Sequence, residues 1–339
     1  MIGNMKKYSL VLILFLSLLM QPGCKNKDTG TVSNEKEKTT IPVSVPDFNS
    51  DSAYAYVVAQ VGFGPRVPNT EAHRSCGDYL VAALKRFGAT VQVQEAKLTA
   101  YNGDRLNARN IIGSYNPDNS RRILLFAHWD TRPYADHDPN PDKWRDPIDG
   151  ADDGASGVGA LLEICRQLDR SNPGIGVDVI FFDAEDYGTP RFITENSPRE
   201  SWCLGSQYWS TNPHIANYWA KYGILLDMVG SRNATFFKET TSLESAPEIV
   251  EKVWDAARNL GYGKYFFNEE GGGVLDDHTF VIEGRNIPCI DIINYDPEST
   301  HRFGAYWHTH NDKLDNIDRN TLKAVGQTVL EVVYKEVEK

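Results

Sequence analysis

Apolar and polar positions alternate along the chain, from about residue 46 onward, in blocks that predict helices and strands in turn. Helical patterns cover residues 50–61, 70–87, 156–168, 246–260, 278–283 and 320–337. Apolar runs rich in β-branched and aromatic residues predict strands at 90–95, 108–114, 122–129, 177–182, 223–229 and 288–294. This alternation indicates an α/β fold with a mixed, largely parallel central sheet flanked by helices on both faces. Ligands of such sheets bind beyond the carboxyl ends of the strands.

The predicted strand at 177–182 runs directly into three acids, Asp183, Glu185 and Asp186. Neighbouring carboxylates repel one another in a partly desolvated cleft unless a positive charge lies between them. A solvated turn would be the favoured explanation if this segment stood alone, because charged clusters are usually exposed. The other strand exits therefore decide between the two interpretations.

Similar polar residues follow other apolar segments of the chain. They are the sequences HWD at 128–130, GADDGASG at 150–157, LLDMVG at 225–230 and WHTH at 307–310. Carboxylates combined with imidazole are a ligand set typical of zinc. Together these segments predict a metal site at the carboxyl edge of the sheet.

The N-terminal residues have the pattern of a targeting signal. Lys6 and Lys7 precede an apolar run at 10–20, which is too short to span a bilayer but typical of a secretory signal. The run ends in Gln-Pro-Gly-Cys, similar to a bacterial lipobox. We therefore expect lipidation of Cys24, with cleavage at a nearby site as the alternative.

This pattern also divides the chain into segments. Residues 1–23 are predicted to be a lipoprotein-type signal peptide, the polar residues 24–45 a flexible tether, and residues 46–339 a zinc-dependent α/β catalytic domain. The resulting expectation is an exported protein of the bacterial cell envelope, facing the periplasm and attached to the membrane only through its lipid.

The net charge and the cysteine spacing argue against two kinds of function, nucleic-acid binding and zinc binding through cysteines. The chain has 46 acidic and 35 basic residues, for a net charge of -11, which argues against nucleic acid as a partner. Cys76, Cys165, Cys203 and Cys289 match no zinc-motif spacing. Cys165 and Cys289 have apolar neighbours in sequence, as buried free thiols do.

The motifs HWD, GADDGASG, FFDAED, LLDMVG and WHTH, in this order, resemble the zinc-dependent M28 peptidase clan over roughly residues 51–337. That clan contains dinuclear aminopeptidases and single-zinc glutaminyl cyclases. The sequences LDDHTF at 275–280, IPCI at 287–290 and WH at 307–308 are similar to the cyclases. This resemblance implies conversion of the N-terminal glutamine of peptides or exported proteins to pyroglutamate, with release of ammonia. A tethered monomer is the simplest expectation for the oligomeric state.

The resemblance also implies a role for individual residues. Asp153, Asp186 and His308 match the ligands of one zinc ion, with Asp153 preferred over Asp152 from its place before the small-residue stretch. Further catalytic and substrate-binding positions are Glu185 as the proton-transferring acid, Asp227 and Asp276 as a hydrogen-bonded carboxylate pair, and Trp202 and Trp307 as pocket walls.

Other polar residues near these motifs receive no catalytic role. Asp183 is expected to be structural. His310 and the segment 134–138 contain metal-ligand residue types, but both are predicted to lie in polar, solvated loops.

Two alternatives remain open. A dinuclear aminopeptidase would use Glu185 to activate water and hold two zinc ions through His128, Asp153, Asp186, Asp227 and His308. A non-catalytic binding lipoprotein that keeps only the fold is the lesser alternative.

Overall fold

The computed structural model describes residues 44–194 and 198–336. The strands of this part of the chain are β1 Thr90–Thr99, β2 Arg105–Tyr115, β3 Arg122–His128, β4 Gly176–Phe182, β5 Gly223–Asp227, β6 Phe236–Lys238, β7 Phe266–Glu270 and β8 Cys289–Ile293. Its α-helices are α1 Ser50–Val61, α2 Glu71–Arg86, α3 Ala155–Arg170, α4 Leu204–Thr211, α5 Thr240–Ser245, α6 Pro247–Asn259, α7 Asp277–Arg285 and α8 Arg319–Lys335.

Six strands form the central sheet in the order β1-β2-β4-β3-β5-β8, and β6 pairs with β7 separately. The pairs β4–β3, β3–β5 and β5–β8 are parallel, whereas β1–β2 and β2–β4 are antiparallel. His128 is in register with Phe182, and Asp227 with Ile293. The four parallel strands therefore end together, and the residues that follow them share one edge of the sheet.

Both faces of the sheet are covered, as the continuous apolar runs predict. In β3, Leu125 and Ala127 pack into a core with α1, α3 and α8, whereas Leu124 and Phe126 pack on the opposite face with α4 and α7. Such a strand is buried on both sides, which explains why its sequence is apolar without alternation. The predicted mixed α/β architecture is confirmed.

Several element boundaries differ from the prediction. The strands predicted at 90–95 and 108–114 extend until Thr99 pairs with Arg105, because antiparallel pairing continues through polar residues up to the turn. The strand predicted at 223–229 ends at Asp227, since Met228 has a left-handed φ of 47°. The short elements α4, α5, β6 and β7 were not predicted.

The four cysteines of the described region are buried and free, including Cys165 and Cys289. No helix within residues 44–194 and 198–336 combines the length and apolar character needed to cross a bilayer. The predicted signal peptide, Cys24 and nearly all of the predicted tether lie outside the described residues.

Candidate active site

Three buried side chains from separate segments meet at the carboxyl edge of the sheet. Asp153 precedes α3, Asp186 follows β4 and His308 lies in the loop before α8. His308 Nε2 is 3.1 Å from Asp186 Oδ1 and 3.5 Å from Asp153 Oδ2, and one donor atom from each residue lies within 4.8 Å of the others. The structure thus brings together the three residues that the resemblance implied as zinc ligands.

The chemistry of this cluster fits a zinc ion. Nitrogen and oxygen ligands at about 2.1 Å from a tetrahedral zinc lie about 3.4 Å apart, close to the two measured separations. Asp186 Oδ2 is buried without a hydrogen-bond partner. Burial raises the pKa of Asp186, and the charge of Asp153 raises it further. A cation among these donors would offset both the burial of the Asp186 carboxylate and its repulsion from Asp153.

Asp153 also faces a second group of potential ligands. His128 Nε2 lies 3.0 Å from Asp153 Oδ1 and 3.2 Å from Asp227 Oδ1. One oxygen of Asp153 therefore faces His308 and the other faces His128. This is the bridging position of a two-metal site, so the ligand geometry alone is compatible with one or two ions.

Two further aspartates hold the ligand-bearing loops through their backbones. Asp130 Oδ1 accepts the N–H of Glu185 at 3.1 Å, and Asp130 Oδ2 accepts that of Asp186 at 3.2 Å. Asp312 accepts the N–H groups of Asp152 and Asp153 at 2.8 and 3.1 Å. Both aspartates are fully buried. These hydrogen bonds fix the backbone of the ligand residues. Residues that surround metal ligands commonly orient them in this way.

The segment 134–138, predicted to be a solvated loop without a role, contains a buried contact to the site. Asp136 is 1% exposed, and its Oδ1 lies 3.6 Å from His308 Nδ1. Arg132 donates to both oxygens of Asp136 at 2.8 Å and to the backbone oxygen of Asp186 at 2.9 Å. The expectation of a solvated loop was wrong for Asp136, because the residue types of a Pro- and Asp-rich loop do not distinguish a solvated loop from a buried one.

Glu185 and two aspartates line the same cavity as the ligand cluster. Burial raises the pKa of Glu185 well above its usual range, although His128 opposes this effect. Burial and the nearby charge of Asp227 raise the pKa of Asp276 to about 7. Burial likewise raises the pKa of Asp227 to about 6, against the opposing effect of His128. The pKa values of Asp227 and Asp276 therefore suit proton exchange near neutral pH.

The hydrogen bonds of the predicted carboxylate pair go to other partners. Asp227 contacts His128, whereas Asp276 accepts the N–H of Asp277 at 2.5 Å and so caps α7. The two carboxyl groups influence each other through their charges.

Aromatic rings form much of the cavity wall. The Trp202 ring stacks parallel to that of His308 at 6.1 Å, and the Trp307 ring lies 3.8 Å from it. The guanidinium of Arg132 lies 4.6 Å from the Trp202 ring centre, in cation–π contact. The cavity has a volume of about 170 Å³ and also contains Leu275 and Phe303 in its wall. Its size and apolar walls suit a small side chain.

Left-handed backbone conformations occur at four residues that line this cavity or adjoin its lining. Ala184, Cys203, Met228 and His308 have φ values of 54°, 55°, 47° and 53°. Residues other than glycine rarely adopt such values, and conformations of this kind are often found at functional sites. Sharp turns at these points let consecutive residues face different parts of the cavity.

Three residues near the motifs have contacts away from the cavity. Asp152 accepts from the Gly230 N–H and the Tyr306 hydroxyl. Asp183 accepts from the Arg109 N–H at 2.6 Å and lies 2.9 Å from His73 Nε2. His310 Nδ1 contacts Asp138 at 3.0 Å.

Comparison with known protein families identifies the family of this chain. The family model of peptidase family M28 matches residues 110–333, about two thirds of the chain. The chain belongs to peptidase family M28. Its resemblance to the M28 clan, inferred from five short motifs, is confirmed.

Solved structures within the family are similar over almost their whole length. Tannerella forsythia glutaminyl cyclase is 64% identical with a TM-score of 0.84, over 85% of this chain and 99% of that one. A Zn-dependent exopeptidase from Parabacteroides distasonis is 69% identical with a TM-score of 0.85, over 86% of this chain and 99% of that one.

A curated relative is more distant. Glutaminyl-peptide cyclotransferase from Bos taurus is 29% identical over 255 residues, which are 67% of this chain. The match spans 65% of the bovine protein's length.

Proposed function

We propose that this protein is a glutaminyl-peptide cyclotransferase that converts N-terminal glutamine to pyroglutamate and releases ammonia. The observation that carries the proposal is the 64% identity with a bacterial glutaminyl cyclase over 99% of that chain. The aromatic cavity, which contains both the Asp153–Asp186–His308 cluster and Glu185, supports it.

The reaction needs a Lewis acid and a group that moves a proton. Asp153, Asp186 and His308 would hold a single zinc ion. Bound there, zinc would polarise the γ-carbonyl of the substrate glutamine and stabilise the negative charge that develops on it. The substrate's own α-amine is the nucleophile, so neither water nor a second substrate is consumed.

Glu185 is the proposed proton carrier. The attacking α-amine must lose a proton, and the departing γ-nitrogen must gain one. The raised pKa of Glu185 suits a carboxyl group that accepts the first proton and then donates it to the leaving ammonia. Asp227 and Asp276 lie in the same cavity, and their pKa values of about 6 and 7 suit a charge-coupled pair in which one carboxyl group keeps a proton and orients the leaving nitrogen.

Trp202 and Trp307 would exclude water and hold the glutamine in a folded conformation, with its amine close to the γ-carbon. The proposed substrates are exported proteins or peptides that begin with glutamine. The sequence pattern of residues 1–24 supports export and lipid anchoring at Cys24 in the bacterial cell envelope, where a tethered monomer would face the periplasm.

A dinuclear aminopeptidase is the second candidate. The bridging position of Asp153 between His128 and His308 favours it, as does the similarity to a Zn-dependent exopeptidase. Metal analysis separates the candidates. One zinc per chain supports the cyclase, whereas two tightly bound zinc ions, with release of N-terminal leucine or alanine from peptides, would contradict it.

Mass spectrometry of glutamine-initiated and alanine-initiated peptides, with and without a chelator, tests the proposal. We expect the first peptide to lose the mass of ammonia, the second to stay intact, and chelation to stop the reaction. No mass change in either peptide would favour a binding protein without catalytic activity.

A further inference from the structure

A thiol that the proposed reaction does not use lies behind the cavity wall, against Glu185. Cys203 precedes α4 and is fully buried. Its Sγ donates to Glu185 Oε1 at 3.3 Å. The left-handed backbone at Cys203, with φ of 55°, occurs at the turn that brings the thiol to Glu185.

A third donor completes the group. One carboxylate oxygen of Asp276, the Sγ of Cys203 and one oxygen of Glu185 all lie within 4.8 Å of one another. Sulfur at about 2.3 Å and oxygen at about 2.1 Å from a tetrahedral zinc lie about 3.6 Å apart. The Cys203–Glu185 separation of 3.3 Å is close to this value, and the Asp276 oxygen lies within 4.8 Å of both atoms. Capping of α7 occupies one oxygen of Asp276, and a carboxylate has two.

An unpartnered acid beside this group also indicates a missing cation. Asp277 is fully buried, and neither of its carboxylate oxygens has a hydrogen-bond partner. The nearby hydroxyl of Ser206 interacts with this carboxyl group, but the hydrogen bond with good geometry runs from Ser206 to the backbone oxygen of Cys203 at 3.0 Å. A buried carboxylate without a partner is costly, and a nearby cation would offset that cost.

We propose that Glu185, Cys203 and Asp276 form a second, inhibitory metal site that takes a thiophilic divalent cation, such as Cd²⁺ or excess Zn²⁺. The cation replaces the thiol proton, which leaves to solvent as the metal–sulfur bond forms. The thiolate selects for soft cations over Mg²⁺ or Ca²⁺. The inhibitory effect rests on the proposed function, because an occupied site removes Glu185 from proton transfer. The binding itself does not depend on that function.

Titration of the zinc-loaded protein with Cd²⁺ tests the site directly. Ultraviolet absorbance of the thiolate–metal bond reports ligation by sulfur, and elemental analysis counts both metals. We expect one Cd²⁺ per chain, retention of the first zinc ion, and a thiolate band that saturates together with the loss of cyclisation.

Variants identify the ligands. Cys203→Ser should lose the thiolate band and raise the Cd²⁺ dissociation constant by at least about 10-fold. Asp276→Asn should keep the band but require more Cd²⁺ to saturate it. Cys165→Ala, which changes a buried cysteine in α3, is the matched control and should titrate as the parent does. Thermal melts identify any variant that fails to fold.

Three results would overturn the proposal. They are a thiolate band that persists in Cys203→Ser, Cd²⁺ uptake matched one-for-one by zinc release, and Cd²⁺ binding without a thiolate band. Undiminished cyclisation with Cd²⁺ bound would refute the inhibitory effect. A protein that cyclises no peptide would contradict the proposed function, while the absorbance titration would still decide the metal site.

Discussion

Asp130 holds the backbone of Glu185 and Asp186 in place through two hydrogen bonds, and Asp130→Asn removes one of them. Each carboxylate oxygen of Asp130 accepts one backbone N–H from these two residues. An asparagine has one acceptor oxygen, and its NH₂ group would face the other N–H. The substitution keeps the volume of the side chain, so it tests the hydrogen bonds and not the packing.

The magnitude follows from those two contacts. A hydrogen bond to a charged acceptor contributes about 1.5–3 kcal/mol, and a buried N–H without a partner costs about 1–3 kcal/mol. Both values describe the same lost contact and are not added, so we expect the free energy of unfolding to fall by about 1.5–3 kcal/mol. Because Asp130 orients a ligand without being one, zinc affinity should also fall about 10–100-fold, as for other outer residues of metal sites.

The assay combines thermal melting, zinc affinity from chelator competition, and kcat with a glutamine-initiated peptide at saturating zinc. We expect kcat to fall even when zinc is saturating, since Glu185 loses the same support as Asp186. Asp318→Asn is the matched control. Asp318 also accepts a backbone N–H, from Asn320 at 2.8 Å, but at an exposed cap of α8 where asparagine serves equally well. Parent-like zinc affinity and kcat in Asp130→Asn would refute the positioning role.

Three further predictions use other parts of the structure. Exchanging the two acids, by Glu185→Asp with Asp186→Glu, should lower kcat at least about 100-fold without changing charge, because only the longer Glu185 reaches the substrate amine; retained activity would show that the roles are misassigned. Trp202→Leu removes the cation–π contact with Arg132 and one cavity wall, so KM for glutamine peptides should rise about 10-fold, with a smaller effect on kcat; an unchanged KM would exclude Trp202 from the wall. Burial alone would raise the pKa of Glu239, but its contact with His278 and several backbone N–H groups lower it to about 2. The resulting stabilisation, about 3 kcal/mol, is complete above the unfolded value of about 4.5 and is lost as pH falls towards 2. Melts of Glu239→Gln between pH 2 and 5 should therefore vary less with pH than those of the parent, and an equally steep dependence would contradict this assignment.

The sequence predicted the sheet and the main cluster because both depend on strong local patterns. Parallel strands buried on both faces are continuous apolar runs, and the residues that follow them must share one edge of the sheet. Asp153, Asp186 and Asp227 could thus be located from the strand exits and the opening of α3. The assignment of Asp153 over Asp152 and the cyclase function needed the resemblance, since residue types alone also fit an aminopeptidase.

The supporting residues could not be predicted. Asp136 acts through a long-range contact to His308, and Asp312 through two contacts to the backbone before α3; no sequence spacing encodes such contacts. Cys203 has apolar and aromatic neighbours in sequence, and only the fold brings its thiol to Glu185. The strands β6 and β7 have three and five residues, too few for a periodic pattern to be distinguished from a loop.

The central claim, cyclisation at a zinc site, is tested most directly by the mass of one glutamine-initiated peptide after incubation with the zinc-loaded protein. Our account predicts a product that is lighter by one ammonia, retains every residue, and is absent when zinc is removed and restored on its return. A product shortened by its N-terminal glutamine would contradict the account and identify an aminopeptidase.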